Sequence, residues 1–201
     1  MRAEGSVQTE ARIDDATLVA CVIEGDRHAF EALYSRHKTP LYRTALAITG
    51  DPEAAGDLLH EVFLRLHRYA HRVDPERPLE PWLYRVTVNQ ACTWVKRRRW
   101  MQPIEELADW LIGDSRNSPP QQLERNEERQ ALEQALAALP LAHRTVIVLY
   151  YINDLTVQEI ADVLAVPAGT VKSRLYYGRM ALRERLDLQA ERLSEVIYEF
   201  T

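Results

Sequence analysis

Basic and aromatic side chains with the potential to bind phosphates and bases are concentrated in two stretches of the chain. Pro81–Arg99 contains five basic residues and no acid, and Val171–Arg185 contains five basic residues against one acid. Between them, Glu105–Glu133 carries eight acids and three arginines. Basic surfaces attract nucleic acid, whereas the net charge of -5 limits DNA binding by the chain alone. The pattern predicts two separate contacts with nucleic acid, and ordinary solvated faces are the alternative.

Catalytic and metal sites are not indicated by the remaining reactive residues. His67 and His71 have the helical spacing of a zinc-binding pair, but no third ligand is obvious. Cys21 and Cys92 are far apart and form no CxxC motif, which favours packing in a core over a disulfide. The chain has no GxSxG nucleophile motif and no glycine-rich phosphate loop. We therefore expect neither an enzyme nor a metal or cofactor site.

The compartment is predicted from the first residues and from hydropathy. Met1–Glu10 is polar and has no apolar stretch typical of a signal peptide. A membrane-spanning helix needs a run of about 18 apolar residues, and none is present. The sequence therefore predicts a cytoplasmic protein.

The elements that must position the basic residues are predicted to be helices. Apolar residues recur three and four positions apart, and the chain has only seven glycines. Prolines and a glycine cluster at 101–121, where few residues suit a core, so this segment is predicted to be a flexible linker. The expected fold class is all-α, with two small helical domains at 13–100 and 122–187.

Individual helices are predicted from start and stop signals. A helix is expected at Pro40–Ile48, and Asp51-Pro52-Glu53 is typical of the start of the next helix, which should reach about His71. Three prolines make Val73–Pro81 a loop, and another helix is expected from Trp82 to Arg99. In the second domain, helices are predicted at 123–138, 140–152, 156–164 and 168–186.

The stretch from Leu155 to Leu182 has the pattern of a helix-turn-helix. Thr156 and Glu159 form the capping box of a first helix, and a break follows at 165–167. The second helix is expected to bury Val171 and Leu175, while its outer face carries donors for base edges and phosphates. Those donors are Thr170, Lys172, Ser173, Arg174 and Tyr177. A helical hairpin with a solvated basic face is the alternative.

A resemblance to a known family is strongest at 169–184, GTVKSRLYYGRMALRE, which is similar to the pattern GTVKSRLxRAREAL. That pattern belongs to the minus-thirty-five-binding domain of bacterial RNA polymerase sigma factors. Two departures from the family matter for binding, because Tyr177 replaces its usual Arg and Tyr150 stands where a basic residue is common. Both departures remove a phosphate contact. By resemblance, the minus-thirty-five contacts are Thr170, Lys172, Ser173, Arg174, Tyr177 and Arg179.

A second motif, DLLHEVFLRLHR at Asp57–Arg68, resembles the family's polymerase-binding helix, DLxQEVFLRLW. Asp57 and Glu61 lie four residues apart on one face, where their repulsion costs roughly 0.2–0.5 kcal/mol in an isolated helix. A basic partner surface would offset that cost, and a plain acidic surface is the alternative. By resemblance, the core polymerase contacts are Asp57, Leu58, Glu61, Val62, Phe63 and Arg65, although core packing also explains the apolar ones.

A third motif, PWLYRVTVNQACTWVKRRR at Pro81–Arg99, resembles the family's helix that binds and melts the minus-ten element, WLYRIARNxxxDxxRRxxR. Aromatic and basic residues together suit single-stranded DNA, because bases stack on rings while arginines contact phosphates. Core packing is the favoured role for the ring of Trp82. By resemblance, the minus-ten contacts are Trp82, Tyr84, Arg85, Asn89, Lys96, Arg97, Arg98 and Arg99.

Together the motifs are similar to the small two-domain sigma factors of the extracytoplasmic-function (ECF) group. The resemblance implies a subunit that binds core RNA polymerase and directs transcription initiation at specific promoters. It assigns melted minus-ten DNA to the first domain and duplex minus-thirty-five DNA to the second, and it implies control by an anti-sigma factor. A stand-alone helix-turn-helix regulator that binds an operator without polymerase is the alternative.

Overall fold

The computed structural model describes residues 13–74, 76–101 and 123–199, with side chains described for 13–74, 76–98 and 130–187. Every regular element in these residues is a helix, as predicted. The first domain contains α1 (Asp15–Ile23), α2 (Arg27–Thr49), α3 (Pro52–Tyr69), a 3-10 turn (Ala70–Arg72) and α4 (Leu79–Met101). The second contains α5 (Leu123–Ala137), α6 (Leu141–Tyr151), α7 (Val157–Leu164) and α8 (Ala168–Glu199). Apart from Met101, the predicted linker at 101–121 lies outside the described residues.

Aspartates cap the first three helices, which fixes where each begins. The carboxylate of Asp14 accepts the backbone N–H of Thr17 at 2.7 Å, and Asp26 accepts that of His28 at 2.7 Å. Asp51 accepts the N–H of Ala54 at 3.0 Å, which confirms the predicted start of α3. Each bond satisfies a backbone donor that has no partner within the helix.

The prediction of a separate helix beginning at Pro40 was wrong, because α2 runs unbroken from Arg27 to Thr49. A proline inside a helix removes one hydrogen bond and costs about 3 kcal/mol. Here α2 buries Leu33 before the proline and Leu41 after it in the same core. Each buried leucine contributes about 1.5–3 kcal/mol, so the burial of both halves of α2 outweighs the local cost.

Two other helix boundaries also differ from the prediction. Helix α4 begins at Leu79 rather than Trp82, since Pro81 lies in the first turn, where a missing N–H breaks no bond within the helix. Leu79 is buried, so the early start adds core contacts. Helix α8 continues past the predicted end at 186 to Glu199, and 179–199 contains no glycine or proline to stop it.

The two domains pack against each other in what we call the closed arrangement. Helix α2 of the first domain contacts α5 and α6, and α4 contacts α7 of the helix-turn-helix. The buried apolar residues of both domains form one continuous cluster. The interface therefore covers part of α4, the helix that carries the predicted minus-ten contacts.

Candidate functional site

The helix-turn-helix geometry predicted for the second domain is present in α7 and α8. The Thr156 hydroxyl accepts the N–H of Glu159 at 3.3 Å, and the Glu159 carboxylate accepts the Thr156 N–H at 2.8 Å, which confirms the capping box. Hydrogen bonds from Thr156 hold the pKa of the Glu159 carboxyl below its ordinary value. Ala165 ends α7 in the left-handed conformation, with φ 52°. The turn therefore redirects the chain within three residues into α8.

The beginning of α8 has one buried and one outward face. Val171 and Leu175 are buried, as predicted. Lys172, Ser173 and Tyr177 are exposed, whereas Thr170 and Arg174 are partly buried. The buried stripe fixes the rotation of the helix, so the polar side chains on the other side are held in a defined direction.

Arg179 lies two turns further along α8 and contacts two aromatic rings. Its guanidinium carbon is 5.1 Å from the ring centroid of Tyr150 and 5.4 Å from that of Tyr151, both in the last turn of α6. The departure from the family at Tyr150 thus places an aromatic ring under a predicted DNA-binding arginine. Tyr151 was not among the predicted site residues.

Helix α3 separates the predicted polymerase contacts into outward and inward groups. Asp57 and Arg65 are exposed, and the Glu61 carboxylate accepts a hydrogen bond from Arg65 Nε at 3.0 Å. The apolar members of the predicted set, by contrast, lie in the core of the first domain: Leu58, Val62 and Phe63. In this fold these three side chains pack in the core and do not face a partner.

An exposed leucine on α3 was not among the predicted site residues. Leu64 is 43% exposed and lies three residues after Glu61 and seven after Asp57, on the same side of the helix. A leucine in contact with water beside the acidic residues of this face suits a docking surface. The signal was present in the sequence, because Leu64 falls outside the apolar stripe formed by Leu58, Val62 and Leu66.

The predicted minus-ten residues on α4 that the structure describes occupy four kinds of environment. Asn89, Lys96 and Arg97 are exposed, and Trp82 packs partly buried against the core, the role favoured for it. Arg98 binds the Asp51 carboxylate at 2.6 Å and lies over the Trp94 ring. The side chain of Arg99 lies outside the described residues. The remaining two, Tyr84 and Arg85, contact the second domain.

Tyr84 and Arg85 are held by residues of the helix-turn-helix domain. Asn153, in the turn between α6 and α7, donates from Nδ2 to the Thr44 hydroxyl at 2.9 Å and to the Tyr84 hydroxyl at 3.3 Å. Arg85 donates to the backbone carbonyl of Asp162 in α7. Tyr84 is only 2% exposed, and burial, together with Glu80, raises the pKa of its phenol to about 12. These contacts leave little of Tyr84 accessible to DNA in the closed arrangement.

A buried arginine also joins the two domains. Arg144 of α6 is 1% exposed, and its guanidinium donates to the Ile48 carbonyl at the end of α2 at 2.7 Å. It also donates to the Leu139 carbonyl at 3.2 Å and to that of Ala137. A cation at the C-terminal ends of α2 and α5 interacts favourably with the unpaired carbonyls there. Arg144 was not among the predicted site residues, since no local pattern distinguishes it from a surface arginine.

Metal-binding groups and membrane-spanning helices are both absent from the part of the chain that the structure describes. No group of three histidine, cysteine or acidic side chains in the described ranges is arranged to hold a metal ion. None of the helices in those ranges is long and apolar enough to cross a membrane.

Comparison with known protein families gives two matches that follow the two domains. The model of sigma-70 region 2 matches residues 33–101, and that of sigma-70 region 4 matches residues 129–182. The match to region 2 disfavours the stand-alone operator-binding regulator, because it covers the α3 and α4 segments that such a regulator does not need.

Relatives with known names and structures agree with these matches. The chain is 30% identical over 173 residues to the ECF RNA polymerase sigma factor SigW of Bacillus subtilis, covering 82% of this chain and 92% of SigW. It is 33% identical over 172 residues to the ECF sigma factor SigM of Mycobacterium tuberculosis, covering 86% and 84%.

Solved structures share the fold. CnrH, in complex with the cytosolic domain of CnrY, matches with a TM-score of 0.66 and 24% identity, covering 87% of this chain and 97% of CnrH. RpoE of Bartonella quintana, in complex with the anti-sigma factor NepR, matches with a TM-score of 0.61 and 20% identity, covering 79% and 96%. On its sequence matches and its fold, the chain belongs to the ECF group of the sigma-70 family of RNA polymerase sigma factors.

Proposed function

We propose that this sigma factor divides promoter recognition between its two domains. The first binds core RNA polymerase through the outward face of α3 and contacts the melted minus-ten strand through α4. The second binds the minus-thirty-five duplex through α8. The observation that carries the proposal is the start of α8, where Val171 and Leu175 are buried while Lys172 and Ser173 face solvent. A helix anchored on one side in this way suits a major groove on the other.

The closed arrangement means that the two domains must separate before the chain can bind all of its proposed minus-ten contacts to DNA. Tyr84 is buried beneath Asn153, so minus-ten DNA reaches its ring only when the domains separate, and Arg85 must first give up its bond to Asp162. Docking on core polymerase is the step that holds the domains apart. An anti-sigma factor that covers α3 or stabilises the closed arrangement keeps the chain inactive. The complex of RpoE, a protein of the same fold, with the anti-sigma factor NepR supports control by a partner of this kind.

The chain acts as a regulatory subunit and not as an enzyme, in the cytoplasm. Its relatives carry the names of sigma factors, whose work is to direct a polymerase. The chemistry of RNA synthesis belongs to the core enzyme, and the residues assigned here supply only binding.

Transcription by the reconstituted holoenzyme tests the division of labour. The template is a promoter selected from randomised duplex DNA with the wild-type chain and core polymerase. Lys172→Ala with Arg174→Ala should abolish the dependence of transcription on the minus-thirty-five element and leave core binding intact. The free energy of promoter binding should weaken by about 1–3 kcal/mol for each base contact that is lost. Arg183→Ala with Arg185→Ala removes the same charge from α8 outside the recognition turn and is the matched control. Normal promoter activity of the Lys172 and Arg174 variant contradicts the assignment.

The need for polymerase distinguishes this function from a stand-alone regulator. The net charge of -5 predicts weak binding of promoter duplex by the isolated chain, even though α8 is locally basic. The isolated chain and the holoenzyme are compared on the same duplex by fluorescence anisotropy at physiological salt. Tight, sequence-specific binding by the isolated chain overturns the proposal.

A further inference from the structure

Two tyrosines of α6 form a surface on which Arg179 of α8 lies. Their rings meet edge to face, with centroids 5.0 Å apart, and the Arg179 guanidinium is 5.1 Å from one and 5.4 Å from the other. Tyr151 is 54% exposed and Arg179 is exposed, so the charged group remains at the surface. The cation–π contact restricts the arginine side chain and leaves its positive charge in place, whereas a carboxylate partner would neutralise that charge.

A glycine brings the two helices close enough for this contact. A Cβ atom on Gly178 would lie 3.1 Å from Cγ1 of Ile147 and 3.4 Å from Cβ of His143, so α8 and α6 touch at this point. The family pattern has alanine at this position, beside the arginine that aligns with Arg179. Gly178 and Tyr150 are therefore two departures of this chain at one contact between helices.

The position of Arg179 on α8 suits DNA. It lies seven residues after Lys172, which is two turns of helix, and so on the same side as that predicted DNA contact. Helix α6 has no basic residue in its own last turn. The guanidinium of Arg179 therefore places a positive charge at the C-terminal end of α6, where the helix dipole favours it.

These observations lead to a residue assignment that rests on the proposed binding of duplex DNA by α8. We propose that Tyr150 and Tyr151 are positioning residues, which hold Arg179 against a phosphate of the minus-thirty-five duplex. Tyr150 itself cannot supply the positive charge that the family commonly has at its position. Arg179, drawn over the ring of Tyr150, supplies that charge in its place. The departure at Tyr150 thus removes a basic residue from α6 but provides a ring that holds the arginine of α8 close to the same place.

The test measures affinity and salt dependence of the holoenzyme on the selected promoter duplex. Arg179→Gln should weaken binding on the order of tenfold and reduce the slope of log affinity against log salt by about 1, because one phosphate is no longer neutralised. Tyr150→Leu with Tyr151→Leu should weaken binding roughly two- to five-fold, the range of an exposed cation–π contact. Tyr150→Phe keeps the ring and should bind like the wild type.

Coupling between the residues separates positioning from general destabilisation. In the Arg179→Gln background, the two tyrosine changes should have no further effect, and Tyr150→Arg should restore affinity and salt slope. Arg183→Gln, on the same helix and paired with Asp187, controls for the loss of one charge. Circular dichroism checks that each variant is folded.

Several outcomes overturn the inference. The inference is wrong if the tyrosine and Arg179 changes cause additive losses of affinity. It is also wrong if Arg179→Gln keeps the wild-type salt slope, or if Tyr150→Arg does not restore the affinity of the Arg179→Gln protein. If Lys172→Ala with Arg174→Ala still removes the dependence of binding on the minus-thirty-five element in the same assay, only the role proposed for Arg179 is wrong. If that variant also binds normally, the proposed function of α8 fails with it.

Discussion

Single residues in this chain often serve the fold and the predicted site together, and Asp51 is an example. Its carboxylate caps α3 and also binds Arg98, a predicted minus-ten contact, at 2.6 Å. The backbone N–H of Ala54 lowers the pKa of Asp51, and Arg98 adds to the effect against the cost of burial. With Arg98 partly exposed, their ion pair contributes at most about 1 kcal/mol. The helix cap is therefore the larger of the two roles.

The two roles of Asp51 can be separated by mutation. Asp51→Ala should lower the free energy of unfolding by about 1 kcal/mol at neutral pH, because a backbone donor of α3 loses its acceptor. Asp51→Asn keeps an acceptor oxygen and should cost less. Since the folded pKa of Asp51 is lowered, its ionised form stabilises the fold above the ordinary value of 3.8, and this contribution is lost as the pH falls through the folded pKa. Urea unfolding of the three proteins at neutral and acidic pH measures this. A difference between wild type and Asp51→Asn that grows in acid contradicts the account.

At the scale of elements, local signals were predictable from the sequence and distant pairings were not. The capping box at Thr156 and the cap at Asp51 depend on residues three apart, so the sequence contains the whole signal. The continuity of α2 through Pro40 depends on a core built from several helices, which no local pattern describes. The contacts of Asn153 join residues 69 and 109 positions away, and the sequence does not indicate them.

Helix α3 combines an acidic outer face with a buried apolar one, and this predicts separable effects of mutation. Asp57→Lys with Glu61→Lys should abolish binding to core polymerase, because the docking surface proposed for polymerase is basic and would meet like charge. The fold should persist, since both side chains are on the outer face and the surface pair of Glu61 with Arg65 is worth only about 0.2–0.5 kcal/mol. A core-binding titration measures the loss, with circular dichroism as the check on folding.

A control with equal charge makes this experiment specific to α3. Glu24→Lys with Glu31→Lys reverses two exposed acids near the start of α2 and should bind core polymerase normally. Arg97→Ala, on α4, should also keep core binding while it impairs promoter opening. If the α3 and α4 variants lose core binding equally, the assignment of the two helices to different partners is wrong.

The whole molecule is held closed by polar contacts at the domain interface as well as by its continuous core. Asn153 and Arg144 each donate hydrogen bonds from the second domain to the first. Buried polar groups cost about 1–3 kcal/mol when they lose their partners, so these contacts favour one docked geometry over other packings. On the proposed function, the contact of Asn153 with Tyr84 must break before DNA reaches this tyrosine.

Weakening the interface should therefore increase the open population. Asn153→Ala leaves the hydroxyls of Thr44 and Tyr84 without this donor and should raise the open fraction roughly 5- to 150-fold, for a loss of about 1–3 kcal/mol. The distance between fluorophores on the two domains reports the change. Gln158→Ala, at an exposed position of α7, is the control and should leave the distance distribution unchanged. Identical distributions for Asn153→Ala and the wild type refute the role of Asn153.

The buried phenol of Tyr84 links domain separation to its own protonation state. Burial and Glu80 raise its pKa from the ordinary 10.0 to about 12, and Asp154 of the second domain adds to the rise while the hydrogen bond from Asn153 opposes it. A raised pKa stabilises the folded protein fully below the ordinary value, and that contribution is lost as the pH rises through about 12. Because Asp154 belongs to the second domain, alkali in this interval should also weaken the closed arrangement, and phenolate absorbance, compared with that of Tyr84→Phe, would record the event. On the proposed function, core polymerase opens the chain and should thereby lower the pKa of the same tyrosine. The phenolate absorbance of Tyr84 would then serve as an intrinsic spectroscopic probe of activation.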